Sequence, residues 1–223
     1  KKTWGLLQEF AEKAKKEKVV GLFSHPNTPI KCGGAPKKIM YLTEHYLRKQ
    51  GGDARSNADL TFLPNGGKMF GVPEYHEAIV KQFEARSMKW KYKHNLVKVD
   101  GAKQEATFAH SYKTKGEWDA DLEEYAEVTK TDYITMPYDF LHVTPPMKAP
   151  DSIGNSPVGS KKGWVPVAKE SLQHVKYPNI FALGDVAAVP MGKTGGSVRK
   201  QAPVVTQNII DAMEGKELSA KYG

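Results

Sequence analysis

The sequence predicts an α/β protein whose first part is a Rossmann-like three-layer domain that carries an antiparallel β-meander. Short apolar runs alternate with amphipathic helices as far as about residue 88, which is typical of a parallel sheet with crossover helices. Polar and apolar residues then alternate with period two between Lys89 and His110, as in antiparallel strands. A stretch rich in Pro, Gly and Ser at 149–163 predicts the crossing into a second domain.

The chain opens with a helix, a strand, a loop and a second helix. Helical spacing in the first helix is set by Leu6, Leu7, Phe10 and Ala14. The run VVGLFS at 19–24 is of the strand type. After the next loop, a helix is predicted to begin near Ala35 or Pro36, and Gly51 and Gly52 are predicted to end it.

The next elements are a strand, a helix and the meander. The stretch ADLTFLP at 58–64 predicts the second strand, and Pro73 with Glu74 opens a helix. The apolar face of this helix is predicted to hold Tyr75, Ile79 and Phe83. The polar segment 111–124 is predicted to be a loop.

The last third of the chain contains two further predicted strands and a long helix. DFLHVTPP at 139–146 predicts a strand that its prolines break, and YPNIFALGD at 177–185 predicts a buried strand that ends in Gly-Asp. A helix is predicted from about Thr194 to Glu214. Its inward face is expected to consist of Val198, Val205, Ile209 and Met213.

Composition excludes several classes of protein. A hydrophobic content of 39% and a mean hydropathy of −0.55 indicate a folded, water-soluble chain, and its apolar runs are far shorter than the roughly 20 residues of a membrane span. The net charge of +8 would suit an anionic partner, but the lysines are dispersed and no recognition motif accompanies them, so no nucleic-acid partner is expected. The single cysteine cannot form a disulfide within the chain, and no metal-site spacing is present.

Cys32 is the candidate catalytic residue of the first part. Lys31, Lys37 and Lys38 are close to it in sequence, and the helix that follows would direct its free amides towards the sulfur. Both effects favour the thiolate, which is the nucleophilic form. The alternative left open by these residues is a free cysteine packed as a small apolar side chain.

The loop that contains Cys32 lies where a dinucleotide fingerprint would lie, between a strand and a helix. It lacks the glycine spacing G-x-G-x-x-G, and Pro64 and Asn65 follow the second strand where an acidic residue would bind a ribose. NAD binding at this loop is therefore not expected.

A second candidate site is IFALGDVAAVPMGKTGGS at 180–197. Asp185, at the end of a predicted buried strand and placed by Gly184, can accept hydrogen bonds from the hydroxyls of a cofactor. The helix after Lys193 would direct its N-terminus at negative charge, such as that of a reduced flavin. The alternative for Asp185 is a helix cap or a turn residue.

Six stretches resemble, in the same order along the chain, the sulfide:quinone oxidoreductases of the form found in mitochondria and many bacteria, within the flavoprotein disulfide reductase superfamily. The stretches are TPIKCGGAPKKIMYLTEHYLRK, FGVPEYHEAIVKQFEAR, YKHNLVKV, LHVTPPMKAPD, GWVPVAKESLQHVKYPNIFALGD and PMGKTGGSVRKQAPVV. The resemblance implies oxidation of sulfide at a reactive cysteine, with electrons passed through FAD to a quinone, and peripheral association of the full-length protein with a membrane.

The resemblance also implies a domain arrangement. Residues 1–148 would form the second, NAD-binding-like Rossmann-type domain, and residues 149–223 the returning portion of the FAD-binding domain. The chain would then be an internal fragment, without the N-terminal FAD fingerprint and the C-terminal region. Such a fragment is soluble by expectation, does not retain FAD and has no activity by itself.

Residue roles follow from the same resemblance. Cys32 matches one cysteine of the redox pair, and Asp185 matches the aspartate that contacts the flavin ribityl chain. The other cofactor-binding positions that the resemblance implies are Gly184, Lys193, Thr194, Thr144 and Pro145.

One position departs from the family pattern. Val186 stands where many of these enzymes place the second redox cysteine, and a valine cannot exchange disulfides. Three explanations are compatible with a valine at this position. A thiol outside residues 1–223 could replace the second cysteine, Cys32 could act alone as a persulfide carrier, or the protein could use a different electron donor. Two other functions remain open at this stage, a related flavoprotein dehydrogenase with another donor and a non-enzymatic basic binding module.

Overall fold

The computed structural model describes residues 2–28, 30, 32–119, 121–189 and 193–223. Its elements in chain order are α1 (Lys2–Ala14), β1 (Val19–His25), α2 (Ala35–Lys49), α3 (Ala54–Asn57), β2 (Ala58–Pro64), α4 (Pro73–Ala85), β3 (Lys89–Trp90), β4 (His94–Asp100), β5 (Glu105–Asp119), β6 (Glu124–Pro137), β7 (Phe140–His142), α5 (Asp151–Gly154), the 3₁₀ turn η1 (Gly184–Val186) and α6 (Gly195–Met213). The chain divides into two compact units, one of residues 1–28 and 33–145, the other of residues 29–32 and 146–223.

The first unit contains a four-stranded parallel sheet in the order β3-β2-β1-β7. The central strands β1 and β2 pair along their whole length, from Val19 opposite Ala58 to His25 opposite Pro64. Both strands are almost continuously buried because helices cover the sheet, which explains their near-continuous apolar sequences. The predicted parallel arrangement of strands and crossover helices is confirmed.

Helices α1, α2 and α4 bury apolar side chains in the core of this unit. The core is formed mainly by Leu7, Phe10, Phe23, Met40, Leu47, Leu60, Phe62 and Phe83. Proline in the first turn of α2 and of α4 is favoured there, since the first helical N–H groups have no partner in the helix. Leu6 and Tyr75 belong to the apolar patterns from which helices α1 and α4 were predicted, but their side chains are not buried. They are 47% and 60% exposed.

The antiparallel meander is longer than predicted. Strands β4, β5 and β6 pair in sequence order, and β5 and β6 continue past β4 as a two-stranded ribbon. The prediction of a loop at 111–124 is wrong, since β5 runs to Asp119. This ribbon exposes both faces, so no apolar alternation marks it in the sequence. Polar pairs across the strands join it instead, as in the 2.8 Å contact between the hydroxyls of Ser111 and Thr131.

The second unit has little regular structure before its long helix. The predicted strand at 177–185 is wrong, because Phe181 makes only an isolated bridge to Gln173 and no ladder forms. A parallel strand needs a neighbouring strand over several residues, and the described part of this unit provides single-pair bridges only. Val165, Val167, Leu172, Ala182, Ala187, Val189 and Val205 form its buried cluster.

Helix α6 lies close to its predicted bounds but turns a different face inward. Gln201, Val205, Asn208 and Asp211 are its buried residues. The expected inward positions Ile209 and Met213 are 38% and 83% exposed. The polar residues replace them because each has partners in the unit: Asn208, for example, donates to the carbonyl of Ser171 at 2.9 Å. No helix in the described part of the chain has the length and apolarity of a membrane span.

Candidate functional site

Cys32 lies in the loop between β1 and α2 and is a free, half-buried cysteine. Its φ of 81° is in the left-handed region, which L-residues other than glycine, asparagine and aspartate seldom adopt. Backbone strain of this kind is often retained at functional positions. The side chain is half-buried and belongs to none of the buried apolar clusters of the described residues, and the catalytic role of Cys32 stays a prediction. Lys31, one of the three lysines expected to favour its thiolate, lies outside the described residues.

The other two lysines near Cys32 in sequence differ in their surroundings. Lys38 is exposed, whereas Lys37 is only 3% exposed. The Lys37 ammonium donates to the carbonyl of Gly33 at 2.9 Å and lies 5.1 Å from the centre of the Phe62 ring. Burial lowers the pKa of Lys37 to about 8. Lys37 thus belongs to the interior of the first unit instead of its solvated surface.

His25, the last residue of β1, is the second titratable group at this end of the sheet. Its ring stacks on Phe62 with 6.3 Å between centroids. Burial, and secondarily the charge of Lys37, lowers the pKa of His25 to about 4. The imidazole is consequently neutral at physiological pH.

The second candidate site is the turn Gly184–Val186. Gly184 has a φ of +68°, and its N–H donates to the side-chain oxygen of Gln201 at 2.8 Å. A Cβ on residue 184 would stand 3.2 Å from a methyl group of Val198, so a glycine fits both the backbone angle and the space. Asp185, the next residue, is half-buried.

Lys193 holds the same turn from the other side. Its ammonium donates to the carbonyl of Asp185 at 2.6 Å and to that of Ala187 at 2.7 Å. It also lies 4.1 Å from the centre of the Trp164 ring, a cation–π distance. Gly184, Asp185 and Lys193, three of the predicted positions, are thus brought together within the second unit.

Thr194 is the N-cap of α6. Its hydroxyl oxygen accepts the N–H of Ser197 at 3.1 Å, which satisfies one of the free amides of the first turn. The predicted helix start at this residue is confirmed by the cap. Residues 190–192, which connect the Gly-Asp turn with Lys193, lie outside the described residues.

Val186 stands where many members of the resembled family have their second redox cysteine. Its side chain packs against the buried apolar cluster of the second unit, and its carbonyl accepts the N–H of Val165 at 2.9 Å. The residue is therefore part of the core packing of this unit, and it offers no redox chemistry.

Thr144 and Pro145 follow β7 in the first unit. The N–H of Thr144 donates to the hydroxyl of Ser24 at 3.1 Å, and Pro145 is exposed. The Thr144 hydroxyl is buried and has no hydrogen-bond partner among the described residues. A buried hydroxyl without a partner is costly, so its position suits contact with a polar group supplied by a ligand.

Two residues of these sites carry no distinctive sequence signal. Gln201 is fully buried and holds Gly184, and Trp164 faces the Lys193 ammonium. The one sequence signal for a buried Gln201 is its helical spacing from Val198 and Val205, which places it on the same face of the helix. Nothing local distinguishes Trp164 from a surface or core aromatic residue.

Comparison with known proteins confirms the resemblance found in the sequence. No protein-family model matches the chain. The mitochondrial sulfide:quinone oxidoreductase of Mus musculus is 41% identical over 221 residues, which are 99% of this chain and 44% of that protein. The protein of the same name from Dictyostelium discoideum is 38% identical over 91% of this chain and 40% of its own length. The chain thus spans less than half the length of these relatives.

Solved structures show the same fold. The sulfide:quinone oxidoreductase from Aquifex aeolicus matches with a TM-score of 0.67 and 17% identity, over 93% of this chain and 47% of that one. A water-forming NADH oxidase from Lactobacillus brevis matches with a TM-score of 0.53 and 13% identity, over 96% of this chain and 40% of that one. The predicted α/β class, with a parallel sheet and an antiparallel meander, is confirmed.

Proposed function

We propose that this chain, a relative of the sulfide:quinone oxidoreductases along almost its whole length, is part of an FAD-dependent enzyme that oxidises sulfide and passes the electrons to a quinone. The 41% identity to the mouse protein over 99% of the chain is the observation that carries the proposal. We further propose that residues 1–148 are its second Rossmann-type domain and residues 149–223 the returning part of its FAD domain.

Cys32 is the proposed sulfur acceptor. A sulfide sulfur bonds to its Sγ to form a persulfide, and the two sulfur atoms together lose two electrons and two protons. The half-buried thiol in a strained loop supports this role, because a nucleophilic cysteine must be both reachable and held in place. Bound FAD would accept the electron pair and deliver it to the quinone.

The residues of the second site suit a flavin. Asp185 is the proposed contact of the ribityl hydroxyls, and the backbone that carries it is held at Gly184 by Gln201 and at its own carbonyl by Lys193. We propose that Lys193 acts mainly through this support of the turn. Thr194 would contribute through the start of α6, and the unpaired Thr144 hydroxyl through a hydrogen bond to the cofactor.

Because a valine stands at position 186, the two-cysteine cycle is unavailable within residues 1–223. We propose that Cys32 keeps the persulfide until a sulfur acceptor removes it, or that a thiol outside residues 1–223 resolves it. The same residue gives some support to a second candidate function, a related flavoprotein dehydrogenase that receives its electrons from another donor.

The relatives' names include the word mitochondrial, and on that basis we propose a mitochondrial location for the whole protein. Quinones are dissolved in membranes, so we also propose peripheral membrane association of the full-length enzyme. The 223-residue chain by itself is proposed not to retain FAD or activity, because residues before it would supply the other half of the cofactor site.

Anaerobic titration of the full-length protein tests the proposal. Purified protein is expected to be yellow, and sulfide is expected to bleach its flavin absorbance, which a soluble quinone then restores. Bleaching by NADH but not by sulfide would establish the second candidate function. Absence of flavin would reject both enzymes and favour the basic binding module.

Substitution of the thiol tests the role of Cys32. Cys32→Ser is expected to keep the flavin and to lose sulfide-dependent bleaching, whereas Asn27→Ala, an exposed change in the same loop, keeps both. A persulfide on Cys32 adds one sulfur atom to its peptide, which mass spectrometry detects after a single turnover without acceptor. Undiminished bleaching of the Cys32→Ser protein would reject Cys32 as the sulfur acceptor.

A further inference from the structure

We propose that a cavity at the carboxyl end of strands β1 and β2 binds a small organic anion, with the charged group of the ligand on Lys37 and its apolar body against Phe70 and Met69. The residues that line this cavity all belong to the first unit. Ligands of open α/β sheets bind at this edge of the strands, but the loop here lacks a dinucleotide fingerprint.

The cavity has a volume of about 560 Å³ and is formed by three parts of the chain. These are His25 at the end of β1, Gly33 with Lys37 at the start of α2, and the loop 66–71 after β2. The volume is in the range of pockets for small molecules. It far exceeds that of an inorganic oxyanion, which favours a ligand with an organic body.

The loop 66–71 is held in place by contacts with α4. The N–H of Met69 donates to Nδ1 of His76 at 3.1 Å, and the ring of Phe70 meets that of Tyr75 edge to face at 5.7 Å. Glycines at positions 66, 67 and 71 add no side chains to the cavity wall, so the loop side chains that line it are those of Lys68, Met69 and Phe70. Two contacts thus fix the part of the loop that carries Met69 and Phe70, the two apolar side chains of the cavity wall.

The proposal of an anionic ligand rests on the buried positive charge of Lys37. Among the described residues its ammonium has one hydrogen-bond acceptor, the carbonyl of Gly33, and it lies 5.1 and 5.9 Å from the ring centres of Phe62 and Phe70. No carboxylate of the described residues pairs with it. A buried charge without a counter-charge destabilises a fold, whereas an anion in the adjoining cavity would compensate it.

The other polar groups that face the cavity suit such a ligand. His25 on β1 is neutral, so it adds no repulsion between cations and can give one hydrogen bond to an anionic oxygen. Lys68, in the loop, is an exposed lining residue and adds a second positive charge. No acidic residue lines the cavity among the described residues.

Calorimetric titration of the full-length protein with benzenesulfonate tests the proposal. Benzenesulfonamide, which has nearly the same shape and no charge, is the matched ligand. Benzenesulfonate is expected to bind saturably, and the sulfonamide about tenfold more weakly or not at all. Equal binding of the two compounds, or no saturable binding of benzenesulfonate up to about 10 mM, would overturn the proposal.

Lys37→Met and Lys38→Met form the matched pair of variants. Lys38 is the exposed neighbour in the same helical turn, so its substitution changes net charge equally. Lys37→Met is expected to raise the Kd of benzenesulfonate about tenfold or more, and Lys38→Met to leave it within about twofold. Equal effects of both would reject Lys37 as the binding group. Lys37→Met should also melt no lower than the natural protein, since it removes an unpaired buried charge.

Proton uptake supplies a test that needs no variant. The pKa of Lys37 is about 8, and an anion beside it raises that value. Binding at pH 8 is therefore expected to take up about half a proton, measured from the heats in two buffers of different ionisation enthalpy. Absence of uptake, with binding intact, would place the anion away from Lys37 and overturn the assignment.

Discussion

The side-chain oxygen of Gln201 accepts the N–H of Gly184 at 2.8 Å, across a separation of 17 residues. This bond joins the first half of α6 to the turn that carries Asp185. Gln201 is fully buried, and its Nε2 has no hydrogen-bond partner among the described residues. Gln201 therefore satisfies the backbone N–H of Gly184, while its own side-chain NH₂ group has no acceptor among the described residues.

Replacement of Gln201 by methionine tests this bond. Methionine has similar length but cannot accept the Gly184 N–H, so that amide becomes a buried donor without a partner. We expect the Gly184 amide to exchange with deuterium about tenfold faster, which corresponds to about 1.4 kcal/mol of local stability. Hydrogen-exchange mass spectrometry of the peptide that spans the turn measures the change.

Lys200→Met is the control for Gln201→Met, because Lys200 is the exposed neighbour on the same helix. It should leave the exchange of Gly184 unchanged. Equal exchange rates for Gly184 in the natural protein and in Gln201→Met would show that the bond does not protect the turn.

Gly184→Ala tests the conformation of the turn. The φ of +68° and the 3.2 Å contact that a Cβ would make with Val198 both oppose a side chain. We expect a loss of about 2 kcal/mol, of which about 1–2 kcal/mol comes from the backbone angle. Chemical denaturation, followed by the fluorescence of Trp164 after replacement of the other tryptophans, measures this loss.

The double variant Gly184→Ala/Val198→Ala separates the two causes. It removes the methyl group that the new Cβ would meet but leaves the backbone angle unchanged. In the Val198→Ala background, Gly184→Ala should lower the free energy of unfolding by less than it does in the natural protein. The loss that remains is the part due to the backbone angle. Full recovery would mean that crowding, and not φ, requires the glycine.

His25 predicts a pH dependence of stability. Its pKa is lowered by burial from 6.5 to about 4 in the folded protein, so below pH 6.5 the unfolded chain binds more protons than the folded one. The stabilisation due to the neutral ring is complete above pH 6.5 and is lost as the pH falls to about 4. Since the ring is only partly buried, we expect a loss of about 1–2 kcal/mol from this group.

His25→Phe should remove that contribution, since a phenyl ring can keep the stacking on Phe62 but cannot bind a proton. The urea midpoint of the variant is expected to change less between pH 7 and pH 4.5 than that of the natural protein. His45→Phe, at an exposed position on α2, is the control and should retain the natural pH dependence. Identical slopes for the natural protein and His25→Phe would refute the assignment to His25.

The sequence was sufficient for several elements of the first unit, among them α2, β2 and the start of α4. The bounds of α2 and β2 and the first residue of α4 agree with the predictions to within about two residues, because helical periodicity, proline in the first turn and terminal glycines are local signals. The sequence also identified the loop that contains Cys32 and the valine at position 186, because each is recognised from the residue type at one position.

Prediction failed where a residue's state depends on distant partners. The ribbon of β5 and β6 is held by cross-strand pairs such as Ser111 with Thr131, which have no apolar period. Residues 177–185 look like a strand, but a strand forms only where a neighbour pairs with it. The inward face of α6 was misplaced because the polar side chains of Gln201 and Asn208 find acceptors and donors that only the fold supplies.

By itself the sequence determined the α/β class, the family resemblance and the positions of the lone cysteine and the Gly-Asp turn, since all of these are carried by order and spacing along the chain. Only the tertiary structure decided that Lys37 is a buried cation beside a cavity while Lys38 is solvated. It likewise decided that Gln201 supports Gly184. The reason is that desolvation and hydrogen-bond partners are properties of the surroundings of a side chain, and those surroundings come from residues far away in sequence.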